Sequence, residues 1–148
     1  MKTLKTILVL IVMIFLSGCA SYMVSVQSFV SQLKENQKIE TNLYFQNFAL
    51  IDYPSNNLTK IKCEEKNGTK VWLYPGKNTE FVIVKKSDGK RVRAYFDTVI
   101  FQNDTIYGLR SRLIGGLRII PVSDIEKIVI TDEMPQIDIL YESKIGIR

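Results

Sequence analysis

Few side chains in this chain have much chemical reach. Its 148 residues include two cysteines, Cys19 and Cys63, and no histidine. Without histidine there is no Ser-His-Asp triad, no imidazole metal ligand and no side chain that changes charge near neutral pH. Two cysteines cannot build a disulfide framework or a four-cysteine zinc site. What remains is a pair of thiols, a set of carboxylates and a surplus of positive charge. Lys and Arg number 20 against 15 Asp and Glu, a formal net charge of +5.

The positive charge is clustered. Lys85, Lys86, Lys90, Arg91, Arg93, Arg110, Arg112 and Arg118 fall on neighbouring strands and turns. They could form a surface for anions such as lipid headgroups, an acidic glycan or an acidic partner. Lys85, Lys86, Arg91, Arg93, Arg110 and Arg112 are the candidate contacts. The competing reading is an ordinary solvated face with cross-strand ion pairs such as Asp97 with Arg110. The carboxylates offer less. Glu64-Glu65 and Asp132-Glu133 are sequence neighbours, which on a strand point to opposite faces and cannot share a proton-transfer task. Asp52, Asp88, Asp104 and Asp124 are expected at turns or caps, where aspartate serves the backbone. No Asp-x-Asp-x-Asp loop offers a calcium site. No glycine-rich phosphate loop opens a helix, and Leu113 to Leu117 reads as a hairpin turn. The expectation is a protein without catalytic residues, cofactor or metal. Tyr44, Phe45, Phe48, Tyr53, Trp72, Tyr74, Tyr95 and Tyr107 could line a glycan or peptide groove, or serve as core and flank.

The N-terminus says where such a protein would work. Lys2 and Lys5 precede an unbroken apolar run from Ile7 to Leu16, followed by the small residues Ser17, Gly18, Cys19 and Ala20. That run is far short of the ~20 residues of a spanning helix and reads as a secretory signal, or as an uncleaved anchor. Leu16-Ser17-Gly18-Cys19 resembles the lipobox of bacterial lipoproteins, a likeness that covers residues 1–19. The resemblance implies cleavage between Gly18 and Cys19 and acylation of the Cys19 thiol. Several acyl chains, at ~0.8 kcal/mol per buried methylene, hold far better than one. Ala20 after the cysteine, where an aspartate would signal retention, resembles outer-membrane sorting. Ser21 to Leu33 lacks the acidic cluster of surface-exported lipoproteins of the Bacteroidota type. The implied location is the cell envelope, at the periplasmic face of the outer membrane, away from nucleic acid. Three Asn-x-Thr sequons, at Asn57, Asn67 and Asn103, then read as asparagine-containing turns. Cys63 is left as a lone thiol in an oxidising compartment and is expected to be an inert, buried hydrophobe.

These residues need a scaffold, and the pattern predicts one that is mainly β. Tyr22, Val26, Phe29, Val30 and Leu33 fit one face of a short helix, although Val24 and Val26 also allow a strand. Lys34 to Thr41 reads as a polar linker. Beyond it, apolar stretches alternate with turn signals. Leu43 to Tyr53 reads as one run stopped by Pro54-Ser55-Asn56-Asn57. A two-residue hairpin at Asn67-Gly68 would set Cys63 opposite Trp72 and Ile61 opposite Tyr74. Two-residue loops at Asp88-Gly89 and Asn103-Asp104 would pair Phe81 with Phe96 and Ile83 with Ala94. They would also pair Tyr95 with Arg112 and Asp97 with Arg110. Ser123-x-x-Glu126 has the capping-box pattern before the alternating strand Ile128-Val129-Ile130. Five strands between 80 and 132, with one helical turn before the last, resemble a small SH3-like or Sm-like barrel; the whole is expected to be such a barrel or a β-sandwich, with additional N-terminal strands and a short helix. The alternation of Ile137, Ile139 and Tyr141 could add an edge strand. The resulting division is a signal peptide at 1–18, a lipid-anchored segment and linker at 19–41, and a mainly β domain at 42–148. The expected role is a membrane-anchored envelope module that binds a protein or polymer, or an anionic lipid, glycan or small ligand, through strands 85–118.

Overall fold

The computed structural model describes residues 19–46 and 48–140, so the segment 1–18, Gly18 included, and Tyr141 lie outside the described residues. The fold is mainly β, with antiparallel pairing throughout. Both readings of residues 22–33 hold, each for its own half. Ala20–Val24 forms strand β1, and Val26–Asn36 forms helix α1. Ser25 separates them with extended backbone angles, and its side chain accepts a hydrogen bond from Ser28 N at 3.2 Å. That is the N-cap arrangement that satisfies an otherwise orphaned helix donor. Lys34 to Asn36 continue the helix instead of forming a linker. Among the described residues no helix is long and apolar enough to cross a membrane.

The run Leu43 to Tyr53 is a hairpin, not one strand. Strands β2 (Glu40–Gln46) and β3 (Ala49–Ser55) pair with Tyr44 opposite Ile51 and Phe45 opposite Leu50. No glycine or proline marks the reversal, and Phe48 itself takes a φ of 63°. Asp52 therefore lies within a strand, not at a turn.

Seven strands form the main sheet in the order β12-β5-β4-β1-β11-β6-β7. They are β4 (Ile61–Glu65), β5 (Lys70–Tyr74), β6 (Glu80–Lys85), β7 (Arg91–Tyr95), β11 (Ile125–Asp132) and β12 (Gln136–Ile139) with β1. A three-stranded sheet contains β8 (Ile100–Gln102), β9 (Thr105–Ser111) and β10 (Gly115–Pro121). The segment 80–132 thus holds six strands, because a 3-10 turn at Phe96–Thr98 splits the long second strand into β7 and β8. A second 3-10 turn, Val122–Asp124, precedes β11, which returns to pair with β6. The segment's strands are thus divided between the two sheets, β6, β7 and β11 in the first and β8, β9 and β10 in the second. The ladder does not close fully. β7 meets β9 by packing, at a point where a Cβ on Gly108 would lie 2.7 Å from Ala94 Cβ.

Strand β1 pairs with both β11 and β4, in the middle of the main sheet. The boundary expected near residue 41 therefore does not exist: residues 20–36 are part of the domain. Phe29 of α1 stacks on Phe81 at 4.8 Å and meets Phe96 edge-on at 6.4 Å, and all three are essentially inaccessible. Two glutamines fasten the helix to open backbone. Gln32 bonds both N and O of Lys62 in β4, and Gln37 bonds both N and O of Phe101 in β8. The tail behaves as expected, with β12 pairing with β5.

Three turns differ from the two-residue forms. Cys63 faces Val71 and Ile61 faces Leu73. Gly68 N bonds Glu65 O and Glu65 N bonds Thr69 O, with Gly68 at φ 88°, so three residues close this hairpin. A type I turn followed by a left-handed glycine requires the extra residue. Phe81 faces Ala94 and Ile83 faces Val92, two residues from the expected pairing, because the loop around Asp88-Gly89 has four residues. The Asn103-Asp104 loop keeps its two-residue form, both residues having positive φ. Its ladder stops at Ile100, so Asp97 does not reach Arg110. The hairpin turn read at Leu113 to Leu117 comes earlier, at residues 112–114, and Gly115 and Gly116 open β10. The Ser123 capping box is not formed, since the 3-10 turn begins at Val122 and has no side-chain cap.

Candidate anion-binding site

The strand register explains where the basic residues gather. On β7, Arg91 and Arg93 alternate with Val92 and Ala94, and both arginines point to solvent while Ala94 is buried. The Gly108–Ala94 contact lets β9 and β10 approach β7 closely, which brings Arg110 and Arg118 beside them. Lys85 at the end of β6 and Lys90 in the turn complete the rim. The result is a cleft of about 540 Å³ lined by Lys85, Asp88, Lys90, Arg91, Val92, Arg93, Arg110 and Arg118. Six of those eight residues are cationic and one is acidic.

Some of that charge is already balanced. Arg93 pairs with Glu80 at 3.2 Å, and Lys85 lies 3.4 Å from Asp124 and 3.9 Å from Asp88. Lys90 lies 3.4 Å from Asp88. Among the described residues, no carboxylate pairs with Arg91, Arg110 or Arg118, and the buried Nε of Arg118 has no protein acceptor. The turn that shapes the rim is tied down electrostatically. Hydrogen bonding from Lys90 N, with Lys85 nearby, holds the Asp88 carboxyl below its ordinary pKa. At Asp124, partial desolvation works upward but is outweighed by donors from Ser87 and Lys85, so its pKa is also lowered.

Four of the six sequence-derived contacts, Lys85, Arg91, Arg93 and Arg110, line the cleft, as do Lys90 and Arg118. Lys86 is exposed but does not line it. Arg112 is a clear departure. It sits in the turn after β9, is only 5% exposed, and points inward among Tyr44, Tyr53 and Tyr95. Its Nη2 bonds Asp97 Oδ1 at 2.7 Å and Lys77 O at 2.6 Å. The expected Tyr95–Arg112 meeting occurs, at 3.9 Å from ring to guanidinium, but inside the protein. No sequence signal separates this arginine from its exposed neighbours.

The remaining candidates are dispersed. Cys63 is buried, and desolvation pushes its thiol pKa up to about 12. Asp132 is buried and takes a hydrogen bond from Thr79, while its neighbour Glu133 is exposed. Glu64 pairs across the ladder with Lys70. Of the aromatics, Phe45 and Phe48 are exposed, while Tyr53 is buried. Cys19 is exposed, immediately before β1. Among the described residues no group of three or more potential ligands is placed to hold a metal.

The chain matches no family model, no curated protein and no solved structure.

Proposed function

We propose that this is a lipid-anchored envelope protein, held through Cys19 at the periplasmic face of the outer membrane, that binds an anionic ligand in its basic cleft and does no chemistry on it. The observation that carries the reading is the convergence of Arg91, Arg110 and Arg118, from three strands, on one cleft without a pairing carboxylate. Guanidinium groups without internal carboxylate partners, Arg118 half-buried and Arg91 and Arg110 exposed, favour phosphate, sulfate or carboxylate oxygens, which they grip bidentately.

The Lys85, Lys90 and Arg91 rim of the cleft favours an anionic ligand other than headgroups of the anchoring bilayer, while Arg93 and Arg110 lie beside Glu80 and Tyr95. The row Ala20–Asp132, Thr131–Glu80–Tyr95 marks the anchored end of the main sheet. Lys85, Lys90 and Arg91 lie beyond the row Val24–Ile128–Ile83–Val92, at the other end of the same strands.

The test is binding of the acylated full chain, in detergent, to fluorescent inorganic polyphosphate across a salt series. Affinity should fall steeply with salt, and R91E/R110E/R118E should weaken it at least tenfold. Charge reversal at Lys62 and Lys66, on β4 and its turn four strands from β7, should not. Equal loss in both variants would reduce the cleft to a contributor to net charge. The tether is tested separately: intact-mass analysis should find an acylated N-terminal cysteine, absent from Cys19→Ala.

A further inference from the structure

Exposed apolar side chains occur on several elements, Leu117 and Ile119 on β10 and Ile139 on β12 among them, but they are densest on the β2–β3 hairpin. Phe48 is 98% exposed, Ile114 91%, Met134 86% and Phe45 67%, and Leu43 and Leu50 are also exposed. Strand alternation places Leu43, Phe45 and Leu50 on the outer face of the β2–β3 hairpin, with Phe48 in its turn. Tyr44 and Tyr53 occupy the inner face and meet Arg112. Among the described residues the one carboxylate on the outer face, Asp52, lies opposite Leu43, away from the turn. A monomeric protein in water rarely shows such a patch without a use for it, and a two-stranded ribbon is marginal by itself. The turn is also filled by an unfavourable residue: phenylalanine at a φ of 63° sits where Gly, Asn or Asp is the usual choice.

A continuous set of contacts joins this hairpin to the anchored end of the sheet. Ala20 pairs with Asp132, Thr131 with Glu80, and Glu80 with Tyr95. Arg112 stacks on Tyr95 and lies beneath Tyr44 of the hairpin. Leu113 and Ile114 follow Arg112 directly. Met134 N bonds Asp132 Oδ1, beside Ala20. No linker separates Cys19 from β1, because the strand begins at the next residue. An acyl group on Cys19 would therefore hold this end of the sheet against the bilayer, within about one residue's span of 3.8 Å.

We propose that the β2–β3 hairpin, through Phe45, Phe48 and Leu50, inserts into the interfacial layer of the leaflet to which Cys19 is tethered. The inference rests on the lipid-anchor reading of Cys19. The hairpin would act as a second foot, so that the domain stands on its tether in one orientation and turns the Lys85, Lys90 and Arg91 rim of the cleft away from the membrane. The apolar side chains take the acyl-chain boundary, while the open edges of the two-stranded ribbon keep their outward backbone groups at the hydrated headgroup level.

The test uses the full-length acylated protein carrying Phe48→Trp and Trp72→Phe, reconstituted in vesicles of phosphatidylethanolamine and phosphatidylglycerol. Intact mass and vesicle flotation report the anchor. Quenching by lipids brominated on their acyl chains reports the hairpin. The indole introduced in the hairpin turn should lose at least half its fluorescence, whereas the native Trp72, measured in the otherwise unchanged chain, should lose little. In the Cys19→Ala protein, F45S/F48S/L50S should lower vesicle partitioning at least fivefold. An acylated, floating protein whose turn indole stays unquenched and open to aqueous iodide overturns the insertion and leaves the anchor intact. A turn indole shielded from iodide only when other envelope proteins are present also overturns it, and makes the hairpin a protein-docking edge. A chain without acyl mass whose turn indole is still quenched overturns the anchor and leaves the insertion standing.

Discussion

Arg112 Nη2 lies 2.7 Å from Asp97 Oδ1, and the arginine side chain is 2% exposed. Asp97 also accepts from Tyr53 Oη at 2.5 Å, so one carboxylate joins the 3-10 turn after β7 to the β2–β3 hairpin and to the turn after β9. Guanidinium planes suit this setting because they stack on rings while bonding in their own plane. Removing one partner of a buried pair leaves the other charge uncompensated, at a cost of ~3–5 kcal/mol. Arg112→Leu should therefore lower the urea midpoint sharply. Arg112→Lys should rescue it only in part, because a lysine cannot stack on Tyr95 and bond Asp97 and Lys77 O together. If Arg112→Leu leaves the midpoint unchanged, the ion pair does not hold the hairpin to the domain.

Gly108 is required by contact, not by backbone angle. A Cβ there would sit 2.7 Å from Ala94 Cβ, on the crossing that brings Arg110 and Arg118 toward Arg91. Gly108→Ala should destabilise the domain by ~1–3 kcal/mol, the usual cost of overpacking. It should also weaken polyphosphate binding by spreading the cleft. Adding Ala94→Gly removes the colliding atom, so the double variant should regain most of the thermal midpoint. Additive losses in the double-variant cycle would contradict this account.

Cys63 should resist alkylation while the protein is folded. Its thiol pKa is raised to about 12, chiefly by burial and further by the nearby Glu65 carboxylate. The folded state thus keeps the thiol proton longer than the unfolded chain does. Its stabilising contribution is fully present below the ordinary value of 9.0 and is lost as pH rises toward about 12. Iodoacetamide at pH 8 should label Cys63 only under denaturing conditions, and Cys63→Ala should flatten the alkaline fall in stability. Rapid labelling of the native protein would contradict the burial.

The rim of the basic cleft should loosen in acid. Asp88 and Asp124 both have lowered pKa values in the folded protein, which therefore binds their protons less tightly than the unfolded chain. Their contribution is present above the ordinary carboxylate value of 3.8 and is lost as pH falls through the lowered ones. Ser87 N donates to Asp124 Oδ1 at 2.9 Å, so hydrogen exchange at Ser87 reports the tie. Exchange there should rise in Asp124→Asn at neutral pH, with the main-sheet amides unchanged. Unaltered protection at Ser87 would show that the carboxylate does not order this turn.

Much of the architecture is local and was legible. Alternation along β6 and β7 assigns Phe81, Ile83 and Ala94 to the inside and Arg91 and Arg93 to the outside. It does so even though the pairing is two residues from the expected one, because a shift of two preserves every face. Burial of Cys63 survives for a different reason: the one-residue change of register exchanges Trp72 and Tyr74 for Val71 and Leu73, which are buried and apolar and share the face of Ile61 and Cys63. The resemblance of residues 16–19 to a lipobox likewise needs only contiguous residues.

The sequence by itself determined a mainly β chain, its turn-rich segments, the buried thiol and the clustering of basic residues. Only the tertiary structure decided that β1 is an interior strand, that Arg112 turns inward while Arg110 faces the cleft, and that the β2–β3 hairpin presents an apolar outer face. The physical reason is range. Face alternation and turn preference depend on a residue and its near neighbours. Strand insertion, turn length and the fate of one arginine depend on contacts between positions as distant as Met23 and Glu64, or Tyr44 and Arg112.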